Sequence, residues 1–394
     1  MIRLAALVLA AALSAAVPAR ALDLAAEEAL VIDHETGAVL LEKNADIAVP
    51  PASMLKLMTL NMVFEAIAEG RLTLDDRFPV SEKAWRMGGS KMFLRQGERV
   101  RIEDLIRGVV VLSGNDACIV LAEGLSGSEE AFAAAMTARA KALGMTDSVF
   151  ANSTGWPHPD TRMTPRDLVF LARRLIEDFP QHYGYFLETE FEWDGVRQRN
   201  RNPLLYSDIG ADGLKTGRTE EAGFGLVGSA VRDGRRVVFM AGGYDSALDR
   251  KVETERLVDW AFREFSNRTL YAAGQPLGVA EVWLGVEDGV PLTLAEDLRA
   301  TVPFAARGKL TARLVLDAPV EAPIRPGQAL GLLEVDGPDM DPLSRPLVAA
   351  EGVERGGVLS RLSAAARLLT RDVLGEDPPP APDAPAPTQA PADG

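Results

Sequence analysis

The sequence predicts an α/β (α+β) protein: an antiparallel sheet flanked by helices, followed by a small all-β domain. Three observations predict this. Short apolar runs pair across turn residues, 29–32 with 38–41 and 224–231 with 237–241, as antiparallel hairpins do. Long segments with helical spacing lie between them, some apolar nearly all round and therefore destined for a core. From about Ser266 the texture changes to short apolar runs separated by Gly and Pro.

Taken in order, Ala29 to Ile32 reads as a strand, Asp33 to Gly37 as a turn and Ala38 to Leu41 as the returning strand. After Pro50-Pro51 a helix is expected from Ala52 to about Gly70, with Leu55, Leu57, Met58, Leu60, Val63, Phe64 and Ile67 buried. Leu105 to Leu112 predicts a second buried helix. Ser113-Gly114 breaks it, and Asp116 to Gly124 resumes. Glu129 to Leu143 is an Ala-rich helix ended by Gly144. Thr164 is an N-cap, with Pro165 at the first helical position and Asp167 in the first turn of a helix running to Ile176. The strands 224–231 and 237–241 turn at Asp233-Gly234, a favoured hairpin pair. Lys251 to Phe265 is expected to be helical, with Val252, Leu257, Val258, Ala261 and Phe265 on its apolar face. Beyond it, runs at 280–284, 310–316 and 329–335 predict the β-rich unit, Gly356 to Leu374 returns to helical spacing, and Pro378 to Gly394 is expected to be disordered.

The domain expectation is therefore a signal peptide over 1–21, a first domain over 22–266 and an all-β domain over 267–352. An amphipathic helix over 353–374 and a Pro/Ala-rich tail over 375–394 complete it. Residues 1–21 have a basic start, an apolar centre and an Ala-x-Ala site ending at Ala21, the signature of export. On a helical wheel Val358, Leu359, Leu362, Ala365, Ala366, Leu369 and Val373 share one face and Arg367 and Arg371 the other. That pattern suits a helix lying on a membrane surface or one packed on the β-rich unit.

The net charge of −15 becomes −17 once Arg3 and Arg20 leave with the signal, which argues against a nucleic-acid partner. Cys118 is the only cysteine, so no internal disulfide forms, and its apolar neighbours mark it as a buried, inert thiol. Three widely separated histidines with that one cysteine argue against a metal, and no cofactor is expected.

Three short motifs remain: Ser53-Met54-Leu55-Lys56, Ser113-Gly114-Asn115 and Lys215-Thr216-Gly217. A hydroxyl needs a base to become a nucleophile. Lys56 lies three residues from Ser53 in a helical segment, and burial would lower its pKa until it can serve as that base. Ser113 and Asn115 fall at a break between helices, where a proton relay and an amide ligand can face a cleft. Lys215-Thr216-Gly217 precedes two strands and could form the sheet edge, along which a peptide would add as a further strand. Taken singly, each triplet also suits a purely structural role: a snorkelling lysine, a helix cap, a turn. No Gly-x-Ser-x-Gly elbow is present.

All three motifs in this order resemble those of the penicillin-binding proteins and serine β-lactamases. The chain is most similar to the D-alanyl-D-alanine carboxypeptidases of low molecular mass. The similarity extends through Val31-Ile32-Asp33, Thr36-Gly37, Asn44-Ala45-Asp46, Pro51-Ala52-Ser53, Asp116-Ala117-Cys118, Asn200-Arg201-Asn202 and Asp212-Gly213-Leu214. The resemblance implies a penicillin-binding/β-lactamase-like transpeptidase fold. It also implies an exported, periplasmic enzyme that removes the terminal D-alanine of peptidoglycan pentapeptide stems through an acyl-enzyme and is inhibited by β-lactams. By the matching motifs Ser53 is the nucleophile and Lys56 its base, Ser113 and Asn115 form the second wall, and Lys215, Thr216 and Gly217 bind substrate. The N–H groups of Ser53 and Arg218 would form the oxyanion hole. Arg250 would grip the terminal carboxylate, or else be a surface arginine. Arg201 would join the charge network near Lys215, or else be a loop arginine. Arg218 stands where this family often has histidine, and Trp156-Pro157-His158 departs from the usual Gly-Leu-Pro. The alternatives are a serine β-lactamase, whose Glu-x-x-Leu-Asn segment is not found between Asn115 and Lys215, a non-catalytic peptidoglycan-binding protein, and an endopeptidase with the same chemistry.

Overall fold

Turn chemistry sets the first hairpin. Asp33 accepts hydrogen bonds from the backbone N–H groups of Glu35 and Thr36, closing the turn between Glu28–Asp33 (β1) and Val39–Lys43 (β2). The computed structural model describes residues 22–316, 319–357 and 384–387. The expected signal peptide, the helical segment beyond Gly357 and most of the tail lie outside them.

A 3-10 turn, Ala52–Leu55, leads into Lys56–Ala68 (α1). The helix expected from Ala52 thus starts as a tighter turn. Ala52 sits at φ 49, and this kink re-aims Ser53 just before Lys56 enters the α-helix. There follow Arg77–Pro79 (β3), Glu82–Arg86 (α2), Arg99–Arg101 (β4), Ile102–Val110 (α3), Asn115–Ser126 (α4), Glu129–Ala142 (α5), Pro165–Glu177 (α6) and Pro180–Tyr183 (α7). Ser128 and Thr164 cap α5 and α6 by accepting from the backbone N–H three residues on. A small hairpin, Glu190–Trp193 (β5) with Val196–Arg199 (β6), precedes Ala211–Thr219 (β7), Gly223–Arg232 (β8), Arg235–Tyr244 (β9) and Ala247–Glu264 (α8). The β8–β9 turn has Asp233 at φ 49 and Gly234 at φ 78, both left-handed as a tight hairpin requires.

The main sheet is antiparallel in the order β2-β1-β9-β8-β7, so β7 is an edge. Strand alternation divides the core. Leu30, Ile32, Val227, Val238 and Met240 face the cluster built on α1, α3, α4, α5 and α6. Ala29, Val31, Leu226, Phe239 and Ala241 face Leu257, Val258 and Ala261 of α8. The last helix starts four residues earlier than expected. Val252 is 49% exposed and Phe265 begins the next strand, so neither belongs to the apolar face of α8.

Phe265–Tyr271 (β10) opens the β-rich unit and pairs with Leu298–Pro303 (β13). Gly278–Trp283 (β11), Gly289–Thr293 (β12), Thr311–Leu316 (β14), Val320–Glu321 (β15), Ala329–Asp336 (β16) and Leu343–Ala349 (β17) form a second sheet around its own core. The two units meet at Asp33, fully buried, whose carboxylate accepts from Arg235 at 2.8 Å and from Asn267 at 3.1 Å. Thr36 and Thr301 bond across the same junction at 2.5 Å. Ala384 packs against the core of the β-rich unit, and Tyr271 donates to the Pro385 carbonyl at 2.7 Å. Those residues of the expected disordered tail therefore lie on the unit. Among the described residues no helix is long and apolar enough to cross a membrane.

Candidate active site

A cleft of about 820 Å³ opens between the edge strand β7 and the helical layer, and the three motifs meet in it. Ser53, Ser113, Asn115, Arg201, Thr216, Gly217, Arg218 and Arg250 all line it, although they are spread over 198 positions from the first to the last. Lys56 and Lys215 lie just behind the wall, 0% and 2% exposed.

Lys56 is the centre of the hydrogen-bond network. Its Nζ donates to Ser53 Oγ at 2.9 Å, to Asn115 Oδ1 at 2.8 Å and to the Thr154 carbonyl at 2.5 Å. Burial pushes its pKa down to about 8. Cys118 opposes this in part, the nearby Arg201 charge lowers it further, and Asp116 opposes it more weakly. Lys215, equally enclosed, titrates well below an ordinary lysine through burial first and then the charges of Lys56 and Arg201. Its Nζ donates to the Thr216 carbonyl at 3.1 Å. Two buried ammonium groups in one low-dielectric site each make the other easier to deprotonate.

Asn115 differs from expectation. Its amide oxygen is turned to Lys56, while its Nδ2 donates to the Gly88 carbonyl at 2.9 Å. In this state it positions the lysine instead of presenting a free amide to a ligand. Ser113 occupies a left-handed backbone conformation, φ 57, and is 4% exposed. A non-glycine residue held there stores strain that the surroundings must overcome. Those surroundings are Asp116, 1% exposed, whose carboxylate accepts from the N–H groups of Met92, Leu94 and Ala117. Asn115 N–H bonds to the Ser90 carbonyl at 2.8 Å, so the 88–94 loop is tied to the start of α4.

Residues outside the motifs complete the site. Thr154 supplies the carbonyl that orients Lys56. Gly155, at φ +75, lies so close to the nucleophile turn that an added Cβ would sit 1.8 Å from the Ala52 oxygen. The only sequence signal for them was the run of small turn residues Asn152-Ser153-Thr154-Gly155 ahead of Trp156. Gly217 is required in the same way: a Cβ there would fall 3.0 Å from Met54 and from the Pro51 carbonyl.

Positive charge gathers along the same cleft beside β7. The guanidinium carbons of Arg218 and Arg250 lie 5.1 Å and 5.8 Å from the centre of the Phe224 ring. Arg250 is 8% exposed, its Nε has no hydrogen-bond partner, and burial lowers its pKa. Among the described residues no carboxylate lies within ion-pairing distance of Arg201, Arg218 or Arg250. A cleft of unpaired cations beside a serine held by a lysine is suited to an acyl substrate carrying a carboxylate. Cys118, buried, has its thiol pushed up to about 12 and stays protonated, so it takes no part. No group of residues that could hold a metal ion occurs among the described residues.

Residues 14–243 match the family model of D-alanyl-D-alanine carboxypeptidases, and residues 265–355 match the C-terminal domain of penicillin-binding protein 5. A D-alanyl-D-alanine carboxypeptidase of Escherichia coli (strain K12) is 36% identical over 84% of this chain and 85% of its own length. The crystal structure of a D-alanyl-D-alanine carboxypeptidase from Francisella tularensis superposes with a TM-score of 0.76 at 30% identity, covering 84% of this chain and 94% of that one. Penicillin-binding protein D2 from Listeria monocytogenes, solved in its ampicillin-bound form, is 32% identical with a TM-score of 0.57, over 61% of this chain and 99% of that one.

Proposed function

Since the chain belongs to the D-alanyl-D-alanine carboxypeptidase family and is a serine-type D-Ala-D-Ala carboxypeptidase, we propose that Ser53 is its nucleophile and Lys56 the general base. The observation that carries this is the 2.9 Å contact between Ser53 Oγ and a fully buried Lys56 Nζ whose pKa is about 8. At pH 7 about a tenth of Lys56 is uncharged, far more than for an ordinary lysine. The neutral amine keeps two N–H groups, directed to Asn115 Oδ1 and the Thr154 carbonyl, and its lone pair then points at the Ser53 hydroxyl.

Lys56 takes the Ser53 proton as Oγ attacks the carbonyl of the penultimate D-alanine. The oxyanion is held by the N–H groups of Ser53 and Arg218. Ser113 hands a proton to the leaving amine, D-alanine departs, and water with Lys56 as base hydrolyses the ester. Lys215, beside Thr216 at the sheet edge, keeps the site positive. Thr216 and Arg250 bind the terminal carboxylate, Asn115 orients Lys56, and Arg201 lowers the pKa of both lysines. Gly217 lets the strand approach the nucleophile turn. The substrate is the D-Ala-D-Ala end of peptidoglycan stems, and β-lactams acylate the same serine because their strained amide mimics that bond.

The peptidase occupies 22–266 and the β-rich domain 267–352. The enzyme acts in the periplasm, and the apolar and basic segment beyond Gly357 meets the outer face of the cytoplasmic membrane. Deleting residues 358–394 should release the protein from anionic vesicles at low salt without changing peptide turnover, and a full-length protein that never sediments with them would refute the membrane contact. For the nucleophile, intact mass after penicillin treatment should show one adduct on the wild type and none on Ser53→Ala. D-alanine release from a diacyl-D-Ala-D-Ala peptide should vanish with it. An adduct on folded Ser53→Ala sinks the assignment.

A further inference from the structure

One buried carboxylate stands behind the cleft and outside every motif. Glu129 opens α5, directly after its N-cap Ser128, and is 8% exposed. Its Oε1 accepts from the Ser153 backbone N–H at 3.0 Å and from Ser153 Oγ at 2.7 Å. Its Oε2 pairs with Lys83 Nζ of α2 at 2.9 Å. Burying a carboxylate costs free energy unless it is both paired and hydrogen-bonded, and here it is both.

The residue it holds is the one before Thr154, whose carbonyl accepts from Lys56 Nζ at 2.5 Å. Ser153 is fully buried and fixed from two helices. Glu129 of α5 takes its N–H and hydroxyl, and its own carbonyl accepts from Thr59 Oγ1 of α1 at 2.7 Å. Thr59 stands three residues after Lys56, so the two share a face of α1. On the other side, Asn152 Oδ1 accepts from the N–H groups of Thr154 and Gly155 and from Thr154 Oγ1, closing the turn. The Thr154 peptide is clamped before and behind, and its carbonyl points at Lys56. Lys83 links the second acceptor to the same clamp. Its helix leads into Gly88, whose carbonyl holds the Asn115 amide that turns its oxygen to Lys56.

We propose that Glu129, paired with Lys83, is a positioning residue for the catalytic base. It acts through Ser153, keeping the Thr154 carbonyl where it draws one N–H of Lys56 aside and leaves the lone pair for Ser53. The inference rests on the reading of Lys56 as that base.

The experiment follows the rate of penicillin adduct formation from about pH 6 to about pH 10 in the wild type, Glu129→Ala, Ser153→Ala and Glu129→Gln. The Thr154 carbonyl bonds the charged ammonium as well as the neutral amine, so letting it drift lowers the pKa of Lys56 further and misaims its lone pair. Glu129→Ala should move the midpoint of the profile down by at least about half a pH unit and cut the plateau about tenfold. Ser153→Ala removes the hydroxyl alone. It should move both in the same direction by less, and it decides the matter if Glu129→Ala does not fold. Glu129→Gln keeps an acceptor for Ser153 while Lys83 keeps Glu130 at 2.7 Å, so it should restore the midpoint and most of the plateau. The ionisable groups facing Lys56 are the same in all four proteins: Asp116 and Cys118 on α4, Lys215 on β7, and Arg201. An unchanged profile, or a lower plateau at an unmoved midpoint, overturns the proposal. So does a midpoint shift that Glu129→Gln shares, because the charge and not the acceptor would then be responsible. A wild-type rate that does not rise across the range would instead defeat Lys56 as the base.

Discussion

Replacing Lys56 by methionine separates the two consequences of burying a lysine. Methionine fills a similar volume without charge. Depressing the pKa from 10.5 to about 8 corresponds to about 3 kcal/mol of destabilisation at pH values where the lysine is charged, at 1.36 kcal/mol per unit. The lost hydrogen bonds to Asn115 Oδ1 and the Thr154 carbonyl offset this by about 1–3 kcal/mol each, so stability near neutral pH should change little. The pH dependence is the sharper reading. Lys56 titrates lower in the folded chain than in the unfolded one, so between about 8 and 10.5 the unfolded chain holds more protons and stability rises with pH. The burial penalty is in full force below about 8 and gone above about 10.5. From about pH 7 to about pH 10 the wild type should therefore gain about 2 kcal/mol relative to Lys56→Met in denaturant titrations. Over the same range, penicillin acylation by wild type should climb with pH, half-maximal near 8 and levelling off above it as the neutral amine forms, and Lys56→Met should show no such rise. The reasoning fails if wild-type acylation is flat across this range, or if the stability difference between the two proteins does not move with pH.

Two further expectations follow from the packing of the site. Gly155→Ala forces a Cβ to 1.8 Å from the Ala52 oxygen at a φ of +75, so Ser53 must shift. Acylation should drop by about a hundredfold, measured by the rate of penicillin adduct formation, and an unchanged rate would show that the turn tolerates the shift. Arg250→Ala should raise KM at least about tenfold for a peptide with a free terminal carboxylate and little for its C-terminal amide, since a charge-assisted pair is lost only in the first. Equal losses on both peptides would make Arg250 structural.

Periodicity and caps were local properties, and they were legible. Thr164 before Pro165, Ser113-Gly114 between two apolar runs and Asp233-Gly234 between two strands each mark what the chain does within a few residues. Val252 looks core-like at helical spacing and so reads as part of the apolar face of α8. Whether it is covered depends on what packs there, and among the described residues it stays 49% exposed.

By itself the sequence determined the order of strands and helices, the change of texture after α8 and the three motifs that pick out Ser53, Lys56 and Lys215. Each of these is written in adjacent residues. Only the tertiary structure decided that β7 is a sheet edge, that Asn115 turns its oxygen to Lys56 and that the Thr154 carbonyl and Gly155 press on the nucleophile turn. It also decided that Arg250 is buried without a counter-ion among the described residues. The reason is electrostatic as well as geometric. A pKa of about 8 at Lys56 comes from removing water on every side and bringing Arg201 close, and neither condition is a property of the helix on which Lys56 sits.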